Sequence, residues 1–80
     1  MATLFMIFTG NADYVSSSIN KLIIQSETMF GSNIQIGTNV YTYFHLKIES
    51  YKLKVKGEGS DRIVSVVFSY DKRQTSYINK

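Results

Sequence analysis

The chain of 80 residues contains no cysteine and no proline, and its only histidine is His45. Without cysteine it can form neither a disulfide nor a thiolate metal site, so neither can reinforce the fold. A single histidine without spaced histidine or carboxylate partners matches no familiar metal-ligand spacing. We therefore expect no metal ion and no other cofactor. The absence of cysteine is also compatible with a reducing compartment.

Long hydrophobic runs are lacking as well. The longest apolar run, Leu4 to Phe8, is too short for the core of a signal peptide or for a membrane span. The chain begins at Met1 without a basic leader, and we expect a complete, cytoplasmic protein that makes no contact with membranes. Apolar residues make up 44% of the chain and charged residues 19%, a balance that predicts a folded protein.

The length predicts a single domain, residues 1–80. A chain of this size buries only about 60–65% of its unfolded surface, so its core is thin. Because no disulfide supplements that core, self-association is the most accessible source of further burial. We therefore expect a homo-oligomer, with a dimer as the simplest form.

Recognisable catalytic motifs are missing too. The serines stand in no nucleophile motif, and the segment 57–59 lacks the spacing of a phosphate-binding loop. His45 has no neighbouring carboxylate in the sequence and is best explained as a surface residue. We therefore do not expect an enzyme; an active site would require a carboxylate of a second subunit beside His45.

The first half of the chain predicts a strand, a helix and a short strand. The segment 3–9 is apolar at both odd and even positions, as in a strand covered on both faces. Apolar residues then recur at helical spacing over about 12–30, with Asn11 or Asp13 as N-cap and Gly31 as the helix-ending glycine. The segment 33–36 is a possible short strand.

Apolar and polar residues alternate from Val40 to Val55, and the alternation changes parity at Glu49–Ser50. Since successive side chains of a strand point to opposite faces, one straight strand would keep its parity. We therefore predict a hairpin of strands 40–48 and 51–56 with its turn at 49–50. Its expected inner pairs are 48–51, 46–53 and 44–55, and its outer pairs are 47–52, 45–54 and 43–56.

The outer face of this expected hairpin is basic and aromatic. It consists of Tyr41, Tyr43, His45, Lys47, Lys52, Lys54 and Lys56. The net charge of +3 also lies in this half, since residues 1–40 carry −1 and residues 41–80 carry +4. Aromatic rings among lysines are suited to stacking and phosphate contact, which makes this face the candidate binding site for an anion. Lysines on an exposed sheet also keep it soluble, and that simpler explanation remains open.

The last third predicts a turn at 57–61 and a strand over 62–70. In this arrangement Val64 faces Val55, Val66 faces Leu53 and Phe68 faces Tyr51. The polar segment 71–80 is either an edge strand or a loose tail.

Together these elements predict an α+β domain of two layers. One helix packs on a mainly antiparallel sheet of four to five strands, in the order β-α-β-β-β. A single helix covers only one face of a sheet, and Ile63 and Val67 are expected to point to the other. We therefore expect Ile63 and Val67 to lie in an interface with a second copy or a partner protein.

The expected function is that of a small non-enzymatic binding protein that acts through protein–protein contacts, either by self-association or as an inhibitor or adaptor. The alternative is binding of nucleic acid or a small anionic nucleotide by the Tyr/His/Lys face. A short chain rich in Ile, Lys, Ser and Tyr is also typical of AT-rich phage or mobile-element genomes.

Overall fold

The structure is a computed structural model that describes residues 2–55 and 61–78. One helix and six strands follow one another along these residues. In chain order they are β1 (Ala2–Asn11), α1 (Ala12–Ser26), β2 (Ser32–Ile36), β3 (Asn39–Phe44), β4 (Lys47–Val55), β5 (Asp61–Tyr70) and β6 (Lys72–Tyr77).

The strands form two antiparallel sheets of three strands each. Sheet A has the order β1-β5-β4, and sheet B has the order β2-β3-β6. The expected α+β fold with one helix is confirmed, whereas the expected single sheet of four to five strands is wrong. Strand β3 of sheet B leads into β4 of sheet A after only His45 and Leu46, and β5 of sheet A leads into β6 of sheet B after only Asp71. The chain therefore crosses between the sheets at both of these short connections. The two crossings lie side by side, since the Asp71 N–H donates to the Phe44 carbonyl at 3.3 Å.

The expected first strand and the start of the helix are confirmed. Asn11, the last residue of β1, serves as the N-cap of α1, and its Oδ1 accepts a hydrogen bond from the Tyr14 N–H at 2.8 Å. This bond satisfies one of the backbone donors that the first helical turn leaves free.

Replacing Asn11 by alanine is expected to lower the free energy of unfolding by about 0.5–2 kcal/mol, because the Tyr14 N–H loses its acceptor. Asn11→Ser is the matched control, since serine supplies a side-chain oxygen at the same position. Urea denaturation of the three proteins measures the difference. Equal losses in both variants would mean that the cap does not stabilise the helix.

The helix ends four residues earlier than expected, at Ser26 instead of residue 30. In a continuing helix the Ser26 carbonyl would accept from the Phe30 N–H. It accepts instead from the His45 N–H at 3.0 Å, while the Phe30 N–H donates to Thr28 Oγ1 at 3.3 Å. A tertiary contact therefore decides where the helix stops. Met29 and Phe30, which the predicted helix over 12–30 included, lie exposed in the following turn.

The expected turn at Glu49–Ser50 is wrong, because β4 continues through these residues. Ile48 pairs with Phe68 and Ser50 pairs with Val67, so the register shifts by one residue between them. Such a bulge places an extra residue in one strand and reverses the alternation while the strand goes on. The pairs expected between 40–48 and 51–56 are therefore not formed.

The pairing of β4 with β5 differs by two residues from the expected register. Val64 lies opposite Leu53 instead of Val55, and Val66 lies opposite Tyr51 instead of Leu53. A shift of two residues keeps each side chain on its face, so the expected apolar inner face is retained. Most of the expected turn, residues 57–60, lies outside the described residues. The edge-strand alternative for the C-terminal segment is confirmed by β6, which pairs with β3.

The core lies between α1 and one face of sheet A and extends to sheet B. Ser26 and Ser32 are buried beside it and hydrogen-bond to the carbonyls of Ile23 and Leu22, respectively. The buried hydrophobic side chains are Val15, Ile19, Tyr43, Leu46, Val64, Val66 and Phe68.

Candidate functional site

The face of sheet A that packs on the helix and the opposite face differ in burial. The even-numbered residues of β1, Leu4, Met6 and Phe8, pack against the buried core beneath α1. The odd-numbered residues point the other way, and Phe5 and Ile7 are 59% and 56% exposed. Within residues 2–55 and 61–78, no element covers this second face. The expectation that a single helix leaves one sheet face uncovered is therefore confirmed.

We call this uncovered surface the open face of sheet A. Directly opposed residues of neighbouring strands share a face, so the pairs Phe5–Val67 and Lys54–Ile63 place all four side chains here. Ile63 and Val67 are half-buried, whereas the lysines are exposed. The large apolar and basic side chains of the open face are Phe5, Ile7, Ile63, Val67, Lys47, Lys52 and Lys54. The same strand positions also place Thr3, Thr9, Asp61, Ser65 and Ser69 on this face.

The open face has an apolar half and a basic half. Its apolar side chains stand on β1 and β5, and its three lysines stand on β4, the edge strand on the far side of β5. Because adjacent strands are about 4.8 Å apart, the lysine row lies roughly 10 Å from the β1 row. The arrangement favours a ligand that offers apolar surface flanked by negative charge.

The predicted Tyr/His/Lys face is not one surface. Lys47, Lys52 and Lys54 lie together on the open face. Tyr43 is only 5% exposed, belongs to the core and meets the Tyr70 ring edge to face at a centroid distance of 4.8 Å. A ligand on the lysines therefore cannot stack on Tyr43.

Tyr41 lies on sheet B, away from the lysines. Its ring is half-buried beneath the Arg73 guanidinium, which stands 5.3 Å from the ring centroid. Its hydroxyl accepts a hydrogen bond from the Asn39 side-chain amide at 3.2 Å. Lys56 lies outside the described residues. Among the described residues, the tyrosines of the predicted site therefore lie apart from its lysines.

His45 occupies the break between β3 and β4, where it has a φ of 59°. Its Nδ1 lies 3.2 Å from Glu27 Oε2, and both side chains are about half exposed. The sequence did not indicate Glu27 as a partner, because the two residues meet only through the early end of the helix. The contact positions the imidazole ring, and among the described residues no hydroxyl hydrogen-bonds to it.

A small groove lies on the other side of sheet A, beside the first turns of α1. Its volume of about 200 Å³ is below the roughly 300–1,000 Å³ of most small-molecule sites. It is lined by Ala12, Val15, Ser16, Tyr51, Leu53, Arg62 and Val64.

The residues that the structure describes contain no group of three or more His, Cys, Asp or Glu side chains arranged to hold a metal ion. No helix in the described ranges has the length and the hydrophobicity required to cross a membrane. Comparison with protein-family models, with curated proteins and with solved structures finds no match for this chain. The arguments about function therefore rest on the surfaces of the α+β fold itself.

Proposed function

We propose that this chain is a small non-enzymatic binding protein whose open face holds an acidic partner protein. The observation that carries the proposal is the row of apolar side chains on a sheet face that no element of the described residues covers. Phe5 and Ile7 are each more than half exposed, and Ile63 and Val67 extend the same patch across β5.

Burial of this patch supplies the affinity. Complete burial of a Phe or Ile side chain contributes about 1.5–3 kcal/mol, and much of this remains available at Phe5 and Ile7. The phosphate backbone of a nucleic acid offers little apolar surface for such contacts, whereas the centre of a protein interface commonly does. The proposal therefore favours a protein over a nucleic acid as the ligand.

The lysines of β4 supply selectivity. Lys47, Lys52 and Lys54 border the apolar patch on one side, and Asp61, at the first position of β5, is the one acidic side chain among the assigned strand positions of the open face. Complementary charge at the rim speeds encounter and disfavours basic partners. The partner is therefore expected to present carboxylates about 5–10 Å from its apolar contact surface, one or two strand spacings away.

The test is a quantitative capture experiment from extracts of the source cells with immobilised wild-type protein and two variants. Val67→Lys places a charge in the middle of the open face. Ile36→Lys, on exposed β2 of sheet B, adds the same charge elsewhere and is the matched control. We expect the purified partner to bind wild type and Ile36→Lys equally and Val67→Lys about tenfold or more weakly, which corresponds to about 1.4 kcal/mol.

The charge-reversal variant with Lys52→Glu and Lys54→Glu tests the contribution of the lysines separately from that of the apolar patch. It is expected to slow association and to remove most of the salt dependence of binding. Undiminished binding by Val67→Lys would overturn the proposal. Nucleic acid that copurifies with the protein would raise the ratio of absorbance at 260 to 280 nm. If this signal is present in wild type and lost in the charge-reversal variant, the nucleic-acid alternative is favoured instead.

A further inference from the structure

Strand β1 forms one of the two edges of sheet A. This strand of ten residues pairs with β5 along its whole length and has no strand on its other side in the described part of the chain. Alternate residues therefore direct their backbone N–H and C=O groups outward, as a template for another strand.

The two edges of sheet A differ in how they are protected against strand addition. The β4 edge carries Lys47, Lys52 and Lys54 and is interrupted by the bulge after Ile48. Edge lysines and bulges are common devices that prevent pairing with another chain. The β1 edge contains no charged residue and no proline, and its register with β5 is regular over ten pairs. Only the β1 edge is therefore suited to receive a strand.

The sequence of β1 is nearly symmetric about Met6. It runs Thr-Leu-Phe-Met-Ile-Phe-Thr over residues 3–9, with a threonine at each end and apolar residues between them. When two copies pair antiparallel with Met6 opposite Met6, Phe5 faces Ile7 and Leu4 faces Phe8 in both halves. The flanking threonines also face each other, and such Thr–Thr and apolar cross-strand pairs stabilise a sheet.

We infer that two copies of the chain pair through their β1 strands about a two-fold axis at Met6. The result is a continuous sheet of six strands in the order β4-β5-β1-β1-β5-β4, with both helices on one face. Because the two-fold axis makes the contact self-complementary, it closes at the dimer and leaves the protected β4 strands as the outer edges. The inference goes beyond the proposed function, which requires only the open face.

The dimer changes the shape of the open face. The β1 rows of the two copies, each with Phe5 and Ile7, come to lie at the centre of one surface. The lysine rows of the two β4 strands become its opposite rims, about 24 Å apart at five strand spacings. A second copy is the occupant that the edge favours, because symmetry about Met6 benefits a strand only when it pairs with itself.

The register is tested with single cysteines, which the natural chain lacks. Thr3 and Thr9 are exposed, and in the inferred dimer each lies opposite the other. Paired positions of antiparallel strands have Cα atoms about 4.5–5.5 Å apart, which a disulfide can bridge. When Thr3→Cys and Thr9→Cys proteins are mixed under mild oxidation, we expect the mixed disulfide to exceed either homodimer at least fivefold. Ser17→Cys, exposed on α1, is the control and should remain uncrosslinked.

Light scattering provides a second measurement that needs no crosslink. Wild type is expected at twice the chain mass of 9.1 kDa. The double variant Phe5→Lys with Ile7→Lys should be monomeric, because it places two lysines opposite each other on both sides of the axis. Mixing it with the double variant Phe5→Glu and Ile7→Glu should restore the dimer.

Three results would overturn the inference: a monomeric wild type at millimolar concentration, a dimer that survives the lysine double variant, or homodisulfides as abundant as the mixed one. The Val67→Lys variant keeps the two tests apart. This residue lies on the central strand β5, so its substitution should weaken partner binding about tenfold or more and leave the dimer intact.

Discussion

Replacing Phe68 by alanine is expected to lower the free energy of unfolding by about 3–5 kcal/mol. The side chain is completely buried on β5, the central strand of sheet A, and its ring meets the Phe8 ring edge to face at a centroid distance of 6.5 Å. Removing it costs the transfer free energy of the ring and leaves a cavity beneath α1. Since a domain of this size has a total stability of about 4–12 kcal/mol, the variant should lose at least a quarter of its stability.

Phe30→Ala is the matched control for this experiment. Phe30 is 76% exposed in the turn after α1, so its replacement should cost less than about 0.5 kcal/mol. Guanidinium denaturation followed by circular dichroism measures both variants at one protein concentration, because the inferred dimer would make apparent stability concentration-dependent. Similar losses in the two variants would contradict the assignment of Phe68 to the core.

Gly31→Ala is expected to be the second most damaging of these substitutions, with a loss of about 2–5 kcal/mol. Gly31 has a φ of +68°, which costs an L-residue about 1–2 kcal/mol. An added Cβ would also lie 2.7 Å from Thr42 Cγ2 and 3.0 Å from the Phe44 ring, so these two side chains of β3 would have to move. Overpacking of this kind costs about 1–3 kcal/mol more.

Gly37→Ala separates the conformational cost of a positive φ from the cost of overpacking. Gly37 has nearly the same φ, +62°, but an added Cβ would meet no atom within 4 Å among the described residues. Its replacement should therefore cost the conformational term alone, about 1–2 kcal/mol. Denaturation midpoints of the two variants give the difference directly. If both lose the same stability, the contact of β3 with Gly31 has no energetic importance.

Local chemistry explains which parts of the fold could be predicted. Asn11 supplies an acceptor to a backbone donor three residues away, so the start of α1 needs no information about distant residues. The apolar parity of β5, with Val64, Val66 and Phe68 inward, follows from strand geometry alone. The uncovered sheet face could be predicted because the sequence contains one helix, which covers one face, and places apolar residues on both faces of the sheet.

The errors arose where two structures share one local pattern. A hairpin turn and a bulge both reverse the alternation at Glu49–Ser50, and only the pairing of β4 with β5 distinguishes them. One local signal did favour the bulge, since Glu49–Ser50 lacks the glycine or asparagine that two-residue hairpin turns prefer. The same error placed Tyr43 on the outer surface, whereas it lies in the core.

The amino-acid sequence by itself determined the α+β class, the first strand, the helix start, the apolar parity of β5 and the near-symmetric pattern around Met6. Tertiary structure alone decided the division into two sheets, the end of α1 at Ser26 and the position of β1 at an edge. The physical reason is the separation along the chain of the residues that interact. Caps and alternation depend on residues within a few positions, whereas strand order and helix ends depend on which distant backbone groups compete for the same hydrogen bonds.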